Sequence, residues 1–306
     1  MHTALVIGRH AVELSRLTGV WTSLKIVASV ADGKGTVDLG ADRVVLVTPD
    51  LSIPGSDNST QYVHHPNGVL LTPYTLDLEY EFKAVKSILV QRYATANRLN
   101  HTTVDPPDAW IGRVASGYTY HELLEALSGL GLQTPEQIAS AGIRLIKMQI
   151  PLSIDAANIG NFARGLDEIV IVEEKNPTLE WLVKDALYGA SHQPRVVGKS
   201  HEDGRILMAS WGILDAGAII DGLRERLSVR LSDRLAPPAP RERILIPLAV
   251  ERKPYFCSGC PHNRSSKVPD GALVGAGIGC RSCSWTRKGS ERQRVSLLWV
   301  AKGPNG

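Results

Sequence analysis

Between Trp110 and Leu231, short apolar segments alternate with amphipathic ones, and this alternation constrains the fold more than any other feature. Four apolar segments are typical of buried strands: "WIGRVASG", "IRLIKMQI", "DEIVIVEEK" and "QPRVVGK". Each is followed by a segment with helical periodicity, such as "YTYHELLEALSGLGL" or "DAGAIIDGLRERL". Strands that alternate with helices form a largely parallel sheet with helices on both faces. The sequence therefore predicts a doubly wound α/β domain over residues 108–232.

Other segments predict single elements on either side of this domain. The run "HAVELSRLTGVWTSLKIVASVADG" favours a helix, and "RVVLVTP" after it favours a strand. A long helix is predicted over residues 74–99, because apolar residues recur at steps of three and four from Leu78 to Tyr93. Thr134 and Pro135 are typical of a helix start. The Pro-rich, polar residues 233–253 are typical of a linker.

The overall composition is that of a soluble globular protein. The chain has 306 residues, of which 43% are hydrophobic and 21% charged, so there is room for two domains. No apolar run approaches the eighteen or so residues that span a bilayer, and the N-terminus lacks the features of a secretory signal. We therefore predict a cytoplasmic protein without a membrane partner.

All four cysteines lie in one short segment, as the pairs Cys257-x-x-Cys260 and Cys280-x-x-Cys283. A close group of thiols suits metal binding in a reducing compartment better than a disulfide framework. Each pair places two thiolates on one tight turn, and four thiolates complete a tetrahedral zinc site. Spacing alone therefore favours a zinc ribbon, while a cluster iron held by fewer of these cysteines stays open.

The basic residues are concentrated at the C-terminus. Residues 281–306 contain six Lys or Arg and one acidic residue, Glu291, although the net charge of the whole chain is only +3. A zinc ribbon with a basic tail indicates one alternative function, an α/β binding module that contacts nucleic acid.

Several motifs together resemble the indolepyruvate:ferredoxin oxidoreductases, which belong to the 2-oxoacid:ferredoxin oxidoreductases. "FCSGCPHNRS" followed by "VPDGALVGAGIGC" is similar to the thiamine-diphosphate-binding segment of that family. "RVASGYTYHELLEAL" and "LDEIVIVEEKNPTLE" are similar to its transketolase C-terminal-like domain. "ELSRLTGVWTSLKIVASVADG" resembles the end of its pyrimidine-binding domain, so the resemblance runs from about residue 4 to Cys280.

The resemblance implies a set of cofactors and site residues. It implies thiamine diphosphate with Mg²⁺, a [4Fe–4S] cluster, and coenzyme A as co-substrate. Cys257, Cys260 and Cys280 are then cluster ligands, and His262, Gly259 and Gly279 are assigned to cofactor binding. The expected catalytic glutamate is upstream of Met1, and Cys283 has no role in this interpretation.

The resemblance also implies a domain organisation and a function. We expect an α/β fold in which a doubly wound transketolase C-terminal-like domain is flanked by partial thiamine-diphosphate-binding domains. In chain order the expected parts are the end of the pyrimidine-binding domain (1–72), a connecting helix (73–107), the transketolase C-terminal-like domain (108–232), a linker (233–253) and the start of the pyrophosphate-binding and Fe–S domain (254–280). The implied reaction is the oxidative decarboxylation of an indolepyruvate-like 2-oxo acid to an acyl-CoA. Ferredoxin is the implied electron acceptor and nucleic acid is not a partner; a homodimer, or assembly with the missing parts of the enzyme, is expected.

The resemblance stops at Cys280, where the family continues with a glycine-rich loop of the "MGGEG" type. Residues 281–306 have no such loop and no periodicity. We therefore predict that this tail is translated out of frame, and that the chain is an internal fragment that is inactive alone.

Two further positions follow strands of the predicted sheet. Glu173-Glu174-Lys175 ends one strand, and Ser116-Gly117 ends another. Ligands of open α/β sheets bind beyond the carboxyl ends of strands, so these residues either contact a ligand or a partner domain, or are solvated strand ends. The chain has no G-x-G-x-x-G or Walker loop, so nothing in the sequence indicates nucleotide binding.

Overall fold

The computed structural model describes residues 2–37, 40, 44–55, 60–237 and 257–265. The chain divides into two units, residues 1–239 and 240–306. Before the sheet lie α1 (His2–Thr18), α2 (Ala28–Ala31), α3 (Tyr74–Tyr80), a π-helical segment (Glu81–Lys86) and α4 (Ser87–Ala96). The sheet region follows with β1 (Asn100–Val104), β2 (Ile111–Ser116), α5 (Tyr118–Gly129), α6 (Pro135–Ser140), β3 (Ile143–Met148), α7 (Ala156–Ala163), β4 (Glu168–Val172), α8 (Thr178–Leu187), β5 (Arg195–Val197) and α9 (Ala216–Leu231).

The sheet has five strands in the order β1-β3-β2-β4-β5. Strands β2, β3, β4 and β5 are parallel, and β1 pairs antiparallel with β3 at the edge. The central strand β2 pairs with β3 on one side and with β4 on the other, in the register Ile111 to Ile143 and Ile111 to Glu168. A strand buried on both faces is mainly apolar, and every residue of β4 is buried, with Glu168 as its one charged residue.

Helices cover both faces of the sheet, as a doubly wound fold requires. On one face, leucines of α5 and α9 pack on Ile111, Ile143 and Val170. On the other face, Ile159 and Phe162 of α7 and Val183 of α8 pack on Val114 and Ile146. Successive residues of a strand face opposite sides, which explains why neighbouring residues of β2 belong to different cores. The predicted α/β fold is confirmed.

The sheet begins before residue 108. Strand β1 lies within the range 73–107 that was expected to be a connecting helix, and the helix itself ends at Ala96. The strand sequence "NHTTV" alternates poorly between polar and apolar residues, because β1 is an edge strand with exposed positions. The alternation of polar and apolar residues therefore did not predict strand β1.

The N-terminal residues form helices that pack on α4. Leu14 of α1 contacts a cluster with Tyr93 and Leu99, and His10 Nδ1 lies 3.0 Å from Tyr93 Oη. The strand predicted at "RVVLVTP" is wrong for the described residues 44–49, which form no strand. Val47 instead pairs its N–H and its carbonyl with the side-chain amide of Asn97, at 2.8 Å each, so a side chain replaces the missing partner strand.

The second unit is described over residues 257–265, where α10 (His262–Ser265) is a single short turn. Among the described residues, no helix combines the length and the apolar character needed to cross a lipid bilayer. The tail 281–306 and the cysteines Cys280 and Cys283 lie outside the described residues.

Candidate functional site

The carboxyl ends of β2 and β4 form the crevice where an open α/β sheet usually binds ligands. The connection after β2 leads to β3 on one side, while β4 continues to β5 on the other, so the strand order reverses between β2 and β4. Ala115 pairs with Val172, which places the next residues, Ser116 and Glu173, side by side at this edge. The two positions that the sequence singled out therefore meet at one crevice.

Gly117 forms the turn from β2 into α5. Its φ of 56° and ψ of −126° lie in a region that residues with a side chain rarely adopt. Among the described residues, none apart from its chain neighbours has an atom within 4 Å of the position that a Cβ on Gly117 would occupy. The Thr119 hydroxyl donates to the Ser116 carbonyl at 2.6 Å and fixes the first turn of α5.

The carboxylate of Glu173 holds the start of α8. It accepts the backbone N–H groups of Leu179 and Glu180 at 2.8 and 2.9 Å, which have no partner within the helix. Burial raises the pKa of Glu173, although these two hydrogen bonds and the charge of Lys199 act in the opposite direction. Glu173 is therefore a helix cap, which favours a structural role at this strand end over contact with a ligand or a partner domain.

Two lysines fix the loop that follows β5 at the same edge. Lys199 is buried, and its Nζ donates to the carbonyls of Glu173 and Ala209, the latter at 3.2 Å. Lys175 has a φ of 57°, uncommon for a residue with a side chain, and its Nζ donates to the Gly212 carbonyl. Burial lowers the pKa of Lys199, and the nearby glutamates, Glu173 first, oppose this. Lys199 could have been suspected from "VVGK", because it follows a strand directly.

A second cleft, of about 580 Å³, lies at the opposite, amino edge of the sheet. Arg226 of α9 donates to Glu168 at 2.8 Å and to Glu202 at 3.0 Å, and Arg195 also contacts Glu202, at 2.8 Å. Arg113, deep in β2, is fully buried, and its Nε and one terminal nitrogen have no hydrogen-bond partner among the described residues. This edge holds a buried charge network that the strand pattern did not reveal.

The predicted cysteine motif forms one tight turn in the second unit. The Cys260 N–H donates to the Cys257 carbonyl at 3.0 Å, and the Asn263 side chain donates to the same carbonyl at 3.2 Å. Gly259 within this turn has a φ of 77°, and apart from its chain neighbours no described residue has an atom within 4 Å of the position of a Cβ there. Cys257 is exposed and Cys260 partly exposed. The turn thus holds two accessible cysteines three residues apart.

The remaining predicted ligands cannot be placed beside this turn. Cys280 and Gly279 lie outside the described residues, and of His262 the structure describes the backbone at the start of α10. Within the described part of the chain, no three His, Cys, Asp or Glu residues are close enough to hold a metal ion. The predicted set of three cysteines is therefore placed only in part, by its first two members.

Residues 101–236 match the family described as "Indolepyruvate oxidoreductase domain". Two relatives are named "Indolepyruvate oxidoreductase subunit IorA". The one from Methanothermobacter thermautotrophicus is 24% identical over 253 residues, which are 83% of this chain and 36% of the relative. The one from Thermococcus kodakarensis is 26% identical over 165 residues, which are 52% of this chain and 22% of the relative. The chain thus matches only 36% and 22% of the lengths of these two relatives.

Two solved structures also match part of the chain. An inactive β4 tetramer of a split-gene transketolase is 22% identical and covers 42% of this chain and 41% of its own, with a TM-score of 0.29. The 2-oxoglutarate:ferredoxin oxidoreductase from Magnetococcus marinus is 12% identical and covers 57% of this chain and 28% of its own, with a TM-score of 0.34. At these TM-scores neither structure carries an argument about this chain.

Proposed function

We propose, from the premise that residues 101–236 are an indolepyruvate oxidoreductase domain, that this chain is part of a 2-oxo acid:ferredoxin oxidoreductase. The match confirms the family resemblance inferred from the sequence motifs. The proposed reaction is the oxidative decarboxylation of an indolepyruvate-like 2-oxo acid, with coenzyme A as acyl acceptor and ferredoxin as electron acceptor. The observation that carries this proposal is the domain match, supported by relatives that are named as subunits of indolepyruvate oxidoreductase.

The turn from Cys257 to Cys260 fits a cluster iron. Two thiols three residues apart, both accessible and with a glycine between them in the left-handed region, can bind one metal from the same side. We propose Cys257, Cys260 and Cys280 as ligands of a [4Fe–4S] cluster, which would accept electrons one at a time when bound. The role of the protein here is to keep both thiols of the turn oriented together through the Asn263 hydrogen bond to Cys257.

The same turn fits the expected position of a diphosphate cofactor. Among residues 257–265, the part of this unit that the structure describes, none apart from the neighbours of Gly259 has an atom within 4 Å of the position that a Cβ would occupy there. We propose that Gly259, Gly279 and His262 contact thiamine diphosphate, whose bound Mg²⁺ would offset the diphosphate charge. Thiamine diphosphate supplies the carbanion that attacks 2-oxo acids. The open turn at Gly259 allows the backbone to approach the cofactor closely.

The α/β domain is proposed to dock the other parts of the enzyme. Residues Glu173, Lys175 and Lys199 are engaged in holding the loops at the carboxyl edge, which leaves them no evident chemical role. A rigid edge of this kind suits a surface that positions neighbouring domains or subunits. The homodimer and the partner subunits expected from the sequence remain part of this proposal, as does the cytoplasmic location.

The proposal is tested with the chain in its own cellular context, because the relatives are named as subunits. The tagged chain is isolated without oxygen from the cells that encode it, together with any polypeptides that remain bound. We expect indole-3-pyruvate to reduce a viologen dye in a reaction that depends on coenzyme A and thiamine diphosphate. Replacing Cys257 by Ser should abolish the reduction, while replacing Cys283 by Ser should leave it unchanged.

The alternative function, a zinc-ribbon binding module, predicts a different outcome of the same preparation. It requires one zinc ion per chain, loss of that zinc in Cys283→Ser, and DNA binding that weakens steeply with salt. This combination, without any 2-oxo acid-dependent dye reduction, would contradict the oxidoreductase proposal.

A further inference from the structure

Three basic side chains meet at the carboxyl ends of β2 and β3, beside the first turn of α5. Lys147 lies at the end of β3 on the face that α5 covers, and its Nζ stands 5.3 Å from the centre of the Tyr120 ring. No carboxylate of the described residues forms an ion pair or a hydrogen bond with Lys147. Half-buried lysines usually have such a partner, because burial of an ammonium group without an opposite charge is costly.

His101 is the neighbour of Lys147 on the adjacent strand. The two residues are direct partners in the antiparallel ladder of β1 and β3, so their side chains lie on the same face of the sheet. The backbone of Arg98 acts to raise the pKa of His101. The Nδ1 atom of His101 is buried and has no hydrogen-bond partner among the described residues. Because buried polar atoms in folded proteins usually have a hydrogen-bond partner, Nδ1 is a candidate contact for a ligand.

His121 adds a third basic group from the first turn of α5. Its ring packs edge-on against Tyr120, at 6.1 Å between centroids, and Lys147 lies close enough to lower its pKa after the larger effect of burial. The nearest acid on this helix, Glu122, already accepts the N–H of Ala216 at 2.7 Å and so caps α9. Among the described residues, Lys147 and His101 have no counter-charge, and the charge of Glu122, which is already engaged by Ala216, acts on His121.

The backbone at this place also favours an anion. Helix α5 has twelve residues, and its N-cap, Gly117, provides no side-chain cap for its first turn. The positive end of the helix dipole lies at the first turn of α5, which contains His121 and also Tyr120, the ring that Lys147 approaches. Within the part of the chain that the structure describes, no side chain occupies the space beside Gly117, which leaves a ligand room to approach the backbone. The backbone contribution alone would define no site, but here it coincides with Lys147 and with the buried, unpaired nitrogen of His101.

We propose that Lys147, His101, His121 and the first turn of α5 form a binding site for the phosphate group of a small molecule. A dianionic phosphate supplies charge for three basic groups and several acceptor oxygens for their N–H donors. The site lies in the α/β domain, is separate from the cysteine turn, and does not depend on the oxidoreductase function proposed above.

Binding of an anion at this site should be coupled to proton uptake. Burial, together with Lys147, lowers the pKa of both His101 and His121, and Arg98 lowers that of His101 further. The hydrogen bond to the Arg98 backbone and the charge of Glu122 act in the opposite direction, on His101 and His121 respectively. A bound anion raises both pKa values, since it favours the charged imidazolium. The affinity for a non-titrating anion should therefore fall as the pH rises through neutrality.

The proposal is tested by isothermal titration calorimetry of the full chain with inorganic phosphate, and with sulfate for the pH dependence. We expect saturable binding at one site per chain. Replacing Lys147 by Met should weaken it at least about tenfold, because one charge-assisted hydrogen bond is lost. His101→Phe should weaken phosphate binding by a similar factor. It should also reduce the number of protons taken up on binding, which is measured by repeating the titration in buffers of different ionisation enthalpy. Lys83→Met, which removes an exposed lysine elsewhere, is the matched control and should bind like the parent.

Lys147→Met should remain folded, since it removes a partly buried charge, and thermal unfolding checks this. Unchanged affinity in folded Lys147→Met, or the absence of saturable phosphate binding, would overturn the proposal. Saturable binding of pyruvate in place of phosphate would equally contradict the assignment to phosphate, since it would indicate a carboxylate site. These outcomes are distinguishable from a failure of the oxidoreductase proposal, because no redox activity is measured.

Discussion

At the residue scale, Gly198 at the carboxyl edge of the sheet is a position with no room for a side chain. Gly198 lies against the carboxylate of Glu180, which accepts the Lys199 N–H at 3.0 Å and the Lys184 ammonium at 2.6 Å. Because Glu180 is held from two sides, it cannot move away from a larger neighbour. The sequence "VVGK" gave no sign of this close approach, since Glu180 precedes Gly198 by eighteen residues.

Replacement of Gly198 by Ala should therefore destabilise the domain. The added Cβ would overlap the Glu180 carboxylate and lie 3.2 Å from the Ile171 carbonyl, so that overpacking costs about 1–3 kcal/mol in the free energy of unfolding. The matched control is Gly160→Ala within α7, where the added Cβ meets no described residue outside the backbone of its own helix, and Ala is expected to stabilise the helix by about 0.5–1 kcal/mol. Equal unfolding midpoints in urea for the two variants would show that Gly198 is not constrained.

A second residue-scale feature is the buried guanidinium of Arg113. Burial lowers its pKa, Glu168 acts to raise it, and Arg226 acts to lower it. Glu168 also accepts Arg226 and pairs with Arg195 at 3.5 Å, so several arginines share this buried carboxylate. Replacing Arg113 by Met should leave the free energy of unfolding within about 1 kcal/mol or increase it. Glu168→Gln should lower it by about 3 kcal/mol, because the buried Arg113 loses its counter-charge and Arg226 keeps only its exposed partner. Denaturant titration measures both, and a large loss in Arg113→Met would contradict this account.

The ion pairs around Glu202 predict a dependence of stability on pH. Hydrogen bonds from Arg226, first of all, lower the pKa of Glu202 from 4.5 to about 2. A carboxyl whose folded-state pKa is lowered stabilises the fold above its unfolded pKa and loses this contribution as the pH falls. Between pH 4.5 and about pH 2, the parent should therefore lose more stability than Glu202→Gln does. Thermal unfolding at stepped pH checks this; parallel curves for both proteins would exclude the contribution of Glu202.

At the element scale, a strand or helix could be predicted from the sequence where its own residues show the pattern of that element. Buried strands and amphipathic helices carry their pattern in their own residues, so β2, β3, β4 and the helices between them follow from the sequence. Strand β1 and the segment at Val47 depend on a distant partner, namely β3 and Asn97. The basic site depends on register, since His101 and Lys147 meet only when β1 pairs antiparallel with β3. Such long-range pairings leave no local pattern.

The start of α6 was predicted from Thr134 and Pro135, and it allows a test of whether a sequence signal of this kind also stabilises the fold. The Thr134 hydroxyl accepts the Gln137 N–H at 3.3 Å, and Gln137 in turn accepts the Thr134 N–H at 3.1 Å, which completes a capping box. Thr134→Ala should cost about 1 kcal/mol in the free energy of unfolding. Thr178→Ala, in the first turn of α8 but not at its N-cap, should cost less. If both replacements have the same effect, the capping box at α6 contributes nothing specific.

At the scale of the whole molecule, the α/β domain and the cysteine turn provide two separate arguments for the proposed oxidoreductase function. Residues 101–236 match the family described as "Indolepyruvate oxidoreductase domain". Cys257 and Cys260 lie on one tight turn, closed by the bond from the Cys260 N–H to the Cys257 carbonyl, and we propose them as ligands of a cluster iron. The third proposed ligand, Cys280, and the out-of-frame origin of residues 281–306 remain predictions.

The most direct test of the central claim is the iron and inorganic sulfide content of the chain, isolated without oxygen from its own cells. The account predicts iron and sulfide in equal amounts, lost in Cys257→Ser, Cys260→Ser and Cys280→Ser and retained in Cys283→Ser. A colourless protein that holds one zinc ion per chain, and loses it when Cys283 is replaced, would contradict the account.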